Sequence, residues 1–155
     1  MTYDAQVEVT GRGRISIAEL YGDGSDPTRD HTLEKGQMIR YIHLPRPTAN
    51  EHAAYYRMMS RKWAEWPAVE VVVRMKFEAE MIAEAKVAIG AVANIPFRLN
   101  EVEELLVGKP ANDATFQSAA QLSIARANPL PQTGRKLKLV VAAVFHTLQK
   151  AAETE

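Results

Sequence analysis

Short stretches of alternating polar and apolar residues occupy the beginning of the chain. Residues 6–10 alternate, the Gly11-Arg-Gly-Arg segment provides a turn with two glycines, and residues 15–17 resume the alternation. Two alternating runs around a glycine turn predict a β-hairpin. Residues 22–30 are so rich in Gly, Asp, Ser and Pro that we expect a loop there.

A third strand is predicted over residues 38–44. Simple alternation puts Ile39 and Tyr41 on one face and Met38, Ile42 and Leu44 on the other, with the register left open. The Pro-Arg-Pro segment that follows should end the strand, because proline has no N–H to give to a sheet. We therefore predict a boundary near residue 48, with a small β-rich unit at 1–48 and a separate domain at 49–155.

Longer strands are predicted in the second unit. Residues 54–62 alternate moderately, whereas residues 69–77 place a run of large apolar side chains on one face. Residues 81–93 alternate again, with Ala83, Ala85, Val87, Ile89 and Ala91 on the predicted core face. The two clearest strands should pair antiparallel.

From Pro96 onward the apolar positions recur every three to four residues, which indicates helices. A first helix should end before Gly108, a second should begin at Asn112 or Asp113, and a third should start near Gly134. The order of strands and then helices predicts an α+β fold. We expect an antiparallel sheet of three to four strands covered on one face by three helices, preceded by the small β-rich unit.

Composition narrows the function classes. The 155 residues carry 19 Lys and Arg against 19 Asp and Glu, so the formal net charge is zero. Balanced charge argues against nucleic acid or an anionic membrane as a partner bound through bulk charge. No cysteine is present, which excludes disulfides and thiolate metal sites in this chain. No stretch reads as a signal peptide or a membrane span, so we expect a cytoplasmic protein.

Several candidate sites have simpler explanations. Gly11-Arg-Gly-Arg resembles a phosphate-binding loop, but a strand follows it where such loops lead into a helix, so a hairpin turn is favoured. The triplet Glu101, Glu103 and Glu104 is interpreted as a solvated helix face and not as acid/base machinery. No catalytic residue is predicted, because no serine or threonine lies in a recognisable nucleophile context. No metal site is predicted either, because the four histidines, at positions 31, 43, 52 and 146, are scattered.

The most unusual stretch is residues 55–66, which concentrates four aromatic residues, Tyr55, Tyr56, Trp63 and Trp66, among several cations. Such a segment could stack on a ring-bearing ligand or on single-stranded nucleic acid. It could equally contact a protein, since aromatic residues and arginine are enriched at interfaces. Because the chain has no basic surplus, we favour the protein interface.

Several strings together resemble a known family. They are Tyr56-Arg-Met-Met-Ser-Arg-Lys, Val87-Ala-Ile-Gly-Ala-Val-Ala-Asn-Ile-Pro-Phe-Arg, Glu103-Glu-Leu-Leu-Val-Gly-Lys-Pro and Asn128-Pro-Leu-Pro-Gln-Thr-Gly-Arg-Lys. Residues 49–155 resemble the C-terminal domain of the FAD-binding medium subunit of molybdenum hydroxylases, the xanthine dehydrogenase and carbon monoxide dehydrogenase flavoprotein family. Residues 1–48 look like a remnant of that family's second FAD-binding subdomain, through Asp4-Ala-Gln-Val-Glu-Val and the strand ending at His43-Leu-Pro.

The resemblance implies flavin contacts at two positions. Ile39 corresponds to a residue against the flavin ring, and Arg57 to a lysine that follows an aromatic residue. Arginine keeps the positive charge but changes its shape and hydrogen bonding. The family's glycine-rich segments for the flavin pyrophosphate are not in this sequence. We therefore expect the isolated chain to hold no FAD tightly.

Two functions follow as hypotheses. The first is the C-terminal portion of a flavin subunit that supports FAD-mediated electron transfer in an oxidoreductase complex. Its partners would be a molybdenum-cofactor subunit and an iron–sulfur subunit, or a separate N-terminal flavin domain. The alternative is a flavin-free binding or scaffold module of the same fold that docks a partner or self-associates. In either case we expect exposed apolar strand surface, because a neighbouring subdomain is not in the sequence.

Overall fold

The computed structural model describes residues 1–61 and 65–153 as two antiparallel sheets and four helices. The strands are β1 (Gln6–Val9), β2 (Gly13–Ser16), β3 (Ile39–His43), β4 (Glu51–Met58), β5 (Val69–Glu78), β6 (Met81–Gly90) and β7 (Phe97–Arg98). The helices are α1 (Ile17–Tyr21), α2 (Asn100–Leu106), α3 (Asp113–Leu122) and α4 (Arg135–Glu153). In these two ranges, no helix combines the length and apolar character that crossing a membrane requires.

The first sheet has the strand order β2-β1-β3. Its hairpin turn contains Gly11, and β2 begins at Gly13; their φ angles of 72° and 80° lie in the left-handed region that glycine adopts without steric cost. Its small core consists of Val7, Val9, Ile15 and Leu20. The predicted hairpin is confirmed, and the loop at residues 22–30 contains no strand or helix.

The predicted second strand is too long by one residue, because Ile17 begins helix α1. Ser16 caps this helix: its Oγ accepts from the backbone N–H of Glu19, and Glu19 Oε2 accepts from the N–H of Ser16 at 2.7 Å. This reciprocal pair is a capping box. The sequence Ser-Ile-Ala-Glu has the spacing of a capping box, but the alternation of polar and apolar residues up to Ile17 favours a strand.

A register shift in the small sheet changes which residues share a face. Glu8 pairs with Tyr41, and the next pair is Val9 with Ile39, so Arg40 is an extra residue on β3. Ile42 pairs with the buried Val7. Ile39 therefore lies on the same face as Ile42. The prediction that placed Ile39 with Tyr41 is wrong, because simple alternation cannot include a bulge.

The second sheet has the order β4-β5-β6-β7, and α2, α3 and α4 cover one face. Along β5, alternate residues from Val69 to Met75 are fully buried, and they pack in the same core as Val144 and Leu148 of α4. Asn112 caps α3 by accepting from the N–H of Thr115 at 3.0 Å. The α+β fold with three helices on one face is confirmed.

The strand bounds and the pairing in this sheet differ from the prediction: β4 begins at Glu51 and ends at Met58, and β6 ends at Gly90. Phe77 pairs with Ile82 whereas Lys76 pairs with Glu84, so Ala83 is an extra residue in β6. The bulge turns Ile82 into the core, where it is fully buried, and Ala83 is not the core residue that alternation predicted. The short strand β7 at the sheet edge was not predicted, because two residues give no periodic pattern.

Glu103 is buried, contrary to the interpretation of a solvated acidic face. One carboxylate oxygen accepts from the backbone N–H of Val87 at 2.8 Å and from Arg98 Nε at 2.7 Å, and Arg98 Nη2 pairs with the other oxygen. This carboxylate raises the pKa of Arg98 further, since it stabilises the guanidinium. Glu104 is exposed as expected, and Glu101 pairs with Arg126.

Segments that flank the small sheet contact the larger sheet and the loop after β6. Asp4 lies 3.2 Å from Arg98 and 3.5 Å from Lys86 of the larger sheet. The side-chain amide of Asn94 donates to the carbonyls of Asp26 and Arg29, both at 3.0 Å. The boundary near residue 48 stays a prediction.

Replacing Ala91 by glycine is expected to stabilise the protein. Ala91 has a φ of 64°, and this left-handed backbone costs an L residue with a side chain about 1–2 kcal/mol. Glycine avoids that cost but loses about 0.5–1 kcal/mol of chain entropy, so the net gain should be up to about 1.5 kcal/mol. Urea denaturation would measure it. Ala53→Gly, inside β4, is the matched control and should destabilise; equal effects of the two changes would contradict the assignment of strain to Ala91.

Candidate functional site

The face of the larger sheet away from the helices carries an aromatic and cationic cluster on β4 and β5. Tyr55 Oη donates to Glu70 Oε1 at 3.1 Å, and Arg57 Nε lies 3.3 Å from the same oxygen. Arg57 Nη2 also donates to the carbonyl of Glu65 at 3.0 Å. We call Tyr55, Arg57 and Glu70 the β4 cluster. Its carboxylate joins Tyr55, from the predicted docking surface, and Arg57, the predicted flavin contact.

Burial raises the pKa of Tyr55, and the hydrogen bond to the Glu70 carboxylate adds to this, because a phenolate there would repel Glu70. Tyr55 therefore stays a neutral hydrogen-bond donor at physiological pH. Its ring is half exposed, so one aromatic face is available to a partner.

A second charged group lies further along the same face. Arg74 Nη1 donates to Glu51 Oε2 at 2.8 Å, and its guanidinium lies 5.6 Å from the centre of the Tyr3 ring. Burial alone would raise the pKa of Glu51, but hydrogen bonds from Thr48 and Arg74 outweigh it and hold the pKa below its usual value. These contacts tie the beginning of β4 to β5.

The aromatic residues predicted to form one docking surface do not all share it. Tyr56 points to the opposite face of β4 and packs against the core, with its ring centre 4.6 Å from that of His146. The prediction that Tyr56 belongs to a docking surface is therefore wrong, because adjacent residues of a strand face opposite sides of the sheet. Trp66 is 91% exposed, and Trp63 lies outside the described residues.

Ile39 lies on β3, at the edge of the small sheet. It shares its face with Ile42 and with Leu44, which follows the strand, and these three side chains are 41%, 65% and 65% exposed. They continue the apolar face of Val7 and Val9 beyond the part that the chain itself covers. We call Ile39, Ile42 and Leu44 the β3 stripe.

The structure places Ile39 and Arg57 on different sheets, and they share no residue partner in the described ranges. The residues present fit only part of a flavin site. Ile39 offers an exposed apolar contact to a ring, and Arg57 offers a cation that Glu70 already engages. The Gly11–Gly13 turn connects two strands, as expected for a hairpin, and gives no helix N-terminus to a pyrophosphate.

Within residues 1–61 and 65–153, no three His, Asp or Glu side chains lie close enough to hold a metal ion. His31 and His146 are exposed, and His43 lies 3.8 Å from Glu8. No metal chemistry is assigned to these side chains.

A cleft of about 530 Å³ opens where β7, α2 and the ends of α3 and α4 meet. Sequence reasoning missed it, because its walls come from segments that are far apart in the chain. Neither Ile39 nor Arg57 lines this cleft.

Comparison with known protein families matches residues 54–154 to the CO dehydrogenase flavoprotein C-terminal domain. The matched region contains most of β4, all of β5, β6 and β7, and helices α2, α3 and α4.

Two curated relatives are similar in sequence. The glyceraldehyde dehydrogenase medium chain of Sulfolobus acidocaldarius is 27% identical over 95 residues, which are 61% of this chain and 33% of the relative. The nicotinate dehydrogenase FAD-subunit of Eubacterium barkeri is 25% identical over 138 residues, which are 83% of this chain and 46% of the relative. The chain thus spans less than half the length of either relative.

Solved structures share the fold. Carbon monoxide dehydrogenase from Hydrogenophaga pseudoflava matches with a TM-score of 0.83 and 23% identity over 97% of this chain and 53% of that one. Quinoline 2-oxidoreductase from Pseudomonas putida matches with a TM-score of 0.78 and 22% identity over 98% and 53%. Both sheets are covered by these matches. The family match over residues 54–154 shows that this chain belongs to the CO dehydrogenase flavoprotein C-terminal domain family.

Proposed function

We propose that this chain is the C-terminal portion of a flavin subunit of a molybdenum-hydroxylase-type oxidoreductase and supports FAD-mediated electron transfer within a multi-subunit complex. The observation that carries the proposal is the exposure of the apolar side chains of the β3 stripe, in a chain whose residues 54–154 match this family. An apolar edge strand of this kind needs a covering partner. The proposed partners are a flavin-binding portion, a molybdenum-cofactor subunit and an iron–sulfur subunit, in a cytoplasmic complex.

The flavin would supply the electron-transfer chemistry, and this chain would complete the site at its edge. Ile39 would pack against the flavin ring through its exposed side chain. Arg57 would contribute a positive charge. Its guanidinium would leave Glu70 and contact the cofactor instead. The pyrophosphate would be held by backbone N–H groups of the flavin-binding portion.

The test is to purify the chain with its natural partners, through an affinity tag on this chain in the organism that encodes it. Visible absorbance gives the FAD content, and inductively coupled plasma mass spectrometry gives molybdenum and iron. We expect about one FAD per tagged chain together with both metals. Recovery of the folded chain without flavin and without either metal would overturn the proposal.

Arg57→Ala in that complex is expected to weaken flavin retention by roughly ten- to a hundredfold, because hydrogen bonds to charged groups contribute about 1.5–3 kcal/mol. FAD release during dilution, followed by fluorescence, measures the change. Arg61→Ala is the matched control, since Arg61 is exposed and contacts Glu65. Equal retention by wild type and Arg57→Ala would remove Arg57 from the proposed site.

The second candidate is the flavin-free scaffold module. One observation favours it: Arg57 is already engaged by Glu70 and by the Glu65 carbonyl, so its charge is compensated without a cofactor. In that case the purified assembly would contain a protein partner but no flavin, and Arg57→Ala would leave the assembly intact. The measurement of flavin content therefore separates the two functions.

A further inference from the structure

The cleft beside α2 has the dimensions of a ligand site. Its volume of about 530 Å³ lies within the range of roughly 300–1,000 Å³ that is usual for small-molecule pockets. Its walls are mainly apolar, with Leu99, Leu122, Ile124, Leu130 and Leu137 among the lining side chains. An apolar concave surface of this size favours a ligand with an apolar body.

Three cations line the cleft, and two of them are compensated. Arg98 pairs with the buried Glu103, and Arg126 pairs with Glu101. Lys136, on the first turn of α4, makes no ion pair with the described residues. Its ammonium donates to the carbonyl of Ala91 at 2.8 Å in a partly buried position. An ammonium has three N–H groups, so two can serve a ligand.

We propose that this cleft binds an amphipathic monocarboxylate, with the apolar body against the leucine side chains and the carboxylate at Lys136. A partly desolvated ammonium favours an anion strongly, because the apolar walls weaken solvent screening. A cationic ligand would meet the uncompensated charge of Lys136, and a neutral one would leave it unpaired. The site is separate from the proposed flavin contacts, since neither Ile39 nor Arg57 lines it.

Isothermal titration calorimetry with decanoate tests the proposal on the full chain. We expect saturable binding, at least tenfold weaker binding in Lys136→Gln, and no change in Lys138→Gln, which removes an exposed cation of the same helix. Decanol, the neutral counterpart, should bind at least tenfold more weakly than decanoate. Absence of saturable decanoate binding, equal affinity of Lys136→Gln, or equal affinity of decanol would each overturn the proposal.

A second variant tests the place of the ligand independently of Lys136. Ala127 is exposed and lines the cleft, so Ala127→Trp should fill it without disturbing the core. We expect this variant to melt at the wild-type temperature and to lose decanoate binding. If it binds decanoate as wild type does, the ligand lies elsewhere and the proposal fails, whatever the stability of Lys136→Gln.

Discussion

Glu103→Ala is expected to destabilise the fold by about 3–5 kcal/mol, because it removes one partner of a largely buried ion pair. The loss leaves Arg98 without its compensating carboxylate and leaves the N–H of Val87 without its acceptor. Val87 is itself fully buried in β6, so solvent cannot replace that hydrogen bond without opening the sheet. Because typical domains have only about 5–15 kcal/mol of stability, much of the chain should be unfolded at moderate urea concentrations.

Equilibrium urea denaturation, followed by circular dichroism, measures this difference in the free energy of unfolding. Glu104→Ala is the matched control: the same residue type, one position along the same helix, but exposed, and we expect a change within about 0.5 kcal/mol. The free energy of unfolding of Glu103→Gln should lie between those of the two alanine variants, since an amide oxygen can still accept from the N–H of Val87 but cannot neutralise Arg98. Equal stabilities of the two alanine variants would show that the Glu103 carboxylate is not a structural anchor.

The burial of Glu103 also shows where prediction from sequence reaches its limit. Its position lies on the apolar stripe of α2, between Val102 and Leu106, and both of these are fully buried. Three glutamates in four residues nevertheless indicate a solvated face, because isolated buried carboxylates are costly. The compensating group, Arg98, lies on β7, a strand of two residues that no periodic pattern predicts. Helix position was predictable, whereas the partner that permits burial was not.

Long periodic segments were predictable for a physical reason. In β5, four alternate apolar side chains from Val69 to Met75 fix both the strand and its buried face. The two bulges, at Arg40 and Ala83, escape such reasoning, because each depends on pairing with a neighbouring strand. The bulge at Arg40 affects a candidate functional surface, because it moves Ile39 onto the face of Ile42 and so forms the β3 stripe. The sequence shows that the residues of that stripe are apolar, but it does not show that they lie on one face.

The same distinction applies to the other candidate surfaces. Tyr55 is identified by residue type and Arg57 by the resemblance to the family, and the structure adds Glu70, which lies on the next strand and bridges them. Tyr56 was misplaced only by treating neighbouring aromatic residues as one surface. The cleft around Lys136 could not be found from sequence. Lys136 differs from the other two cations that line the cleft only because Arg98 and Arg126 each have a carboxylate partner in the folded chain.

The isolated chain is expected to self-associate through the β3 stripe, and Ile42→Lys should weaken this association about a hundredfold or more. In a two-fold symmetric contact each substitution acts twice. Full burial of an isoleucine side chain contributes about 1.5–3 kcal/mol, and Ile42 is 65% exposed, so about 2–4 kcal/mol is lost over two copies. By the relation of tenfold per 1.4 kcal/mol, this corresponds to roughly a hundredfold change in dissociation constant, before the cost of burying lysine is added.

Sedimentation velocity over a range of protein concentrations measures the association, and Gln121→Lys is the control, because it adds the same charge at an exposed position of α3. We expect wild type and the control to associate alike and Ile42→Lys to stay monomeric. In the purified complex, Ile42→Lys should also lose the flavin-binding portion, because the same apolar stripe would be covered by that portion and a lysine there would have to be buried. A wild-type chain that is monomeric at every concentration, together with an intact complex of the Ile42→Lys variant, would show that the β3 stripe is not an interface.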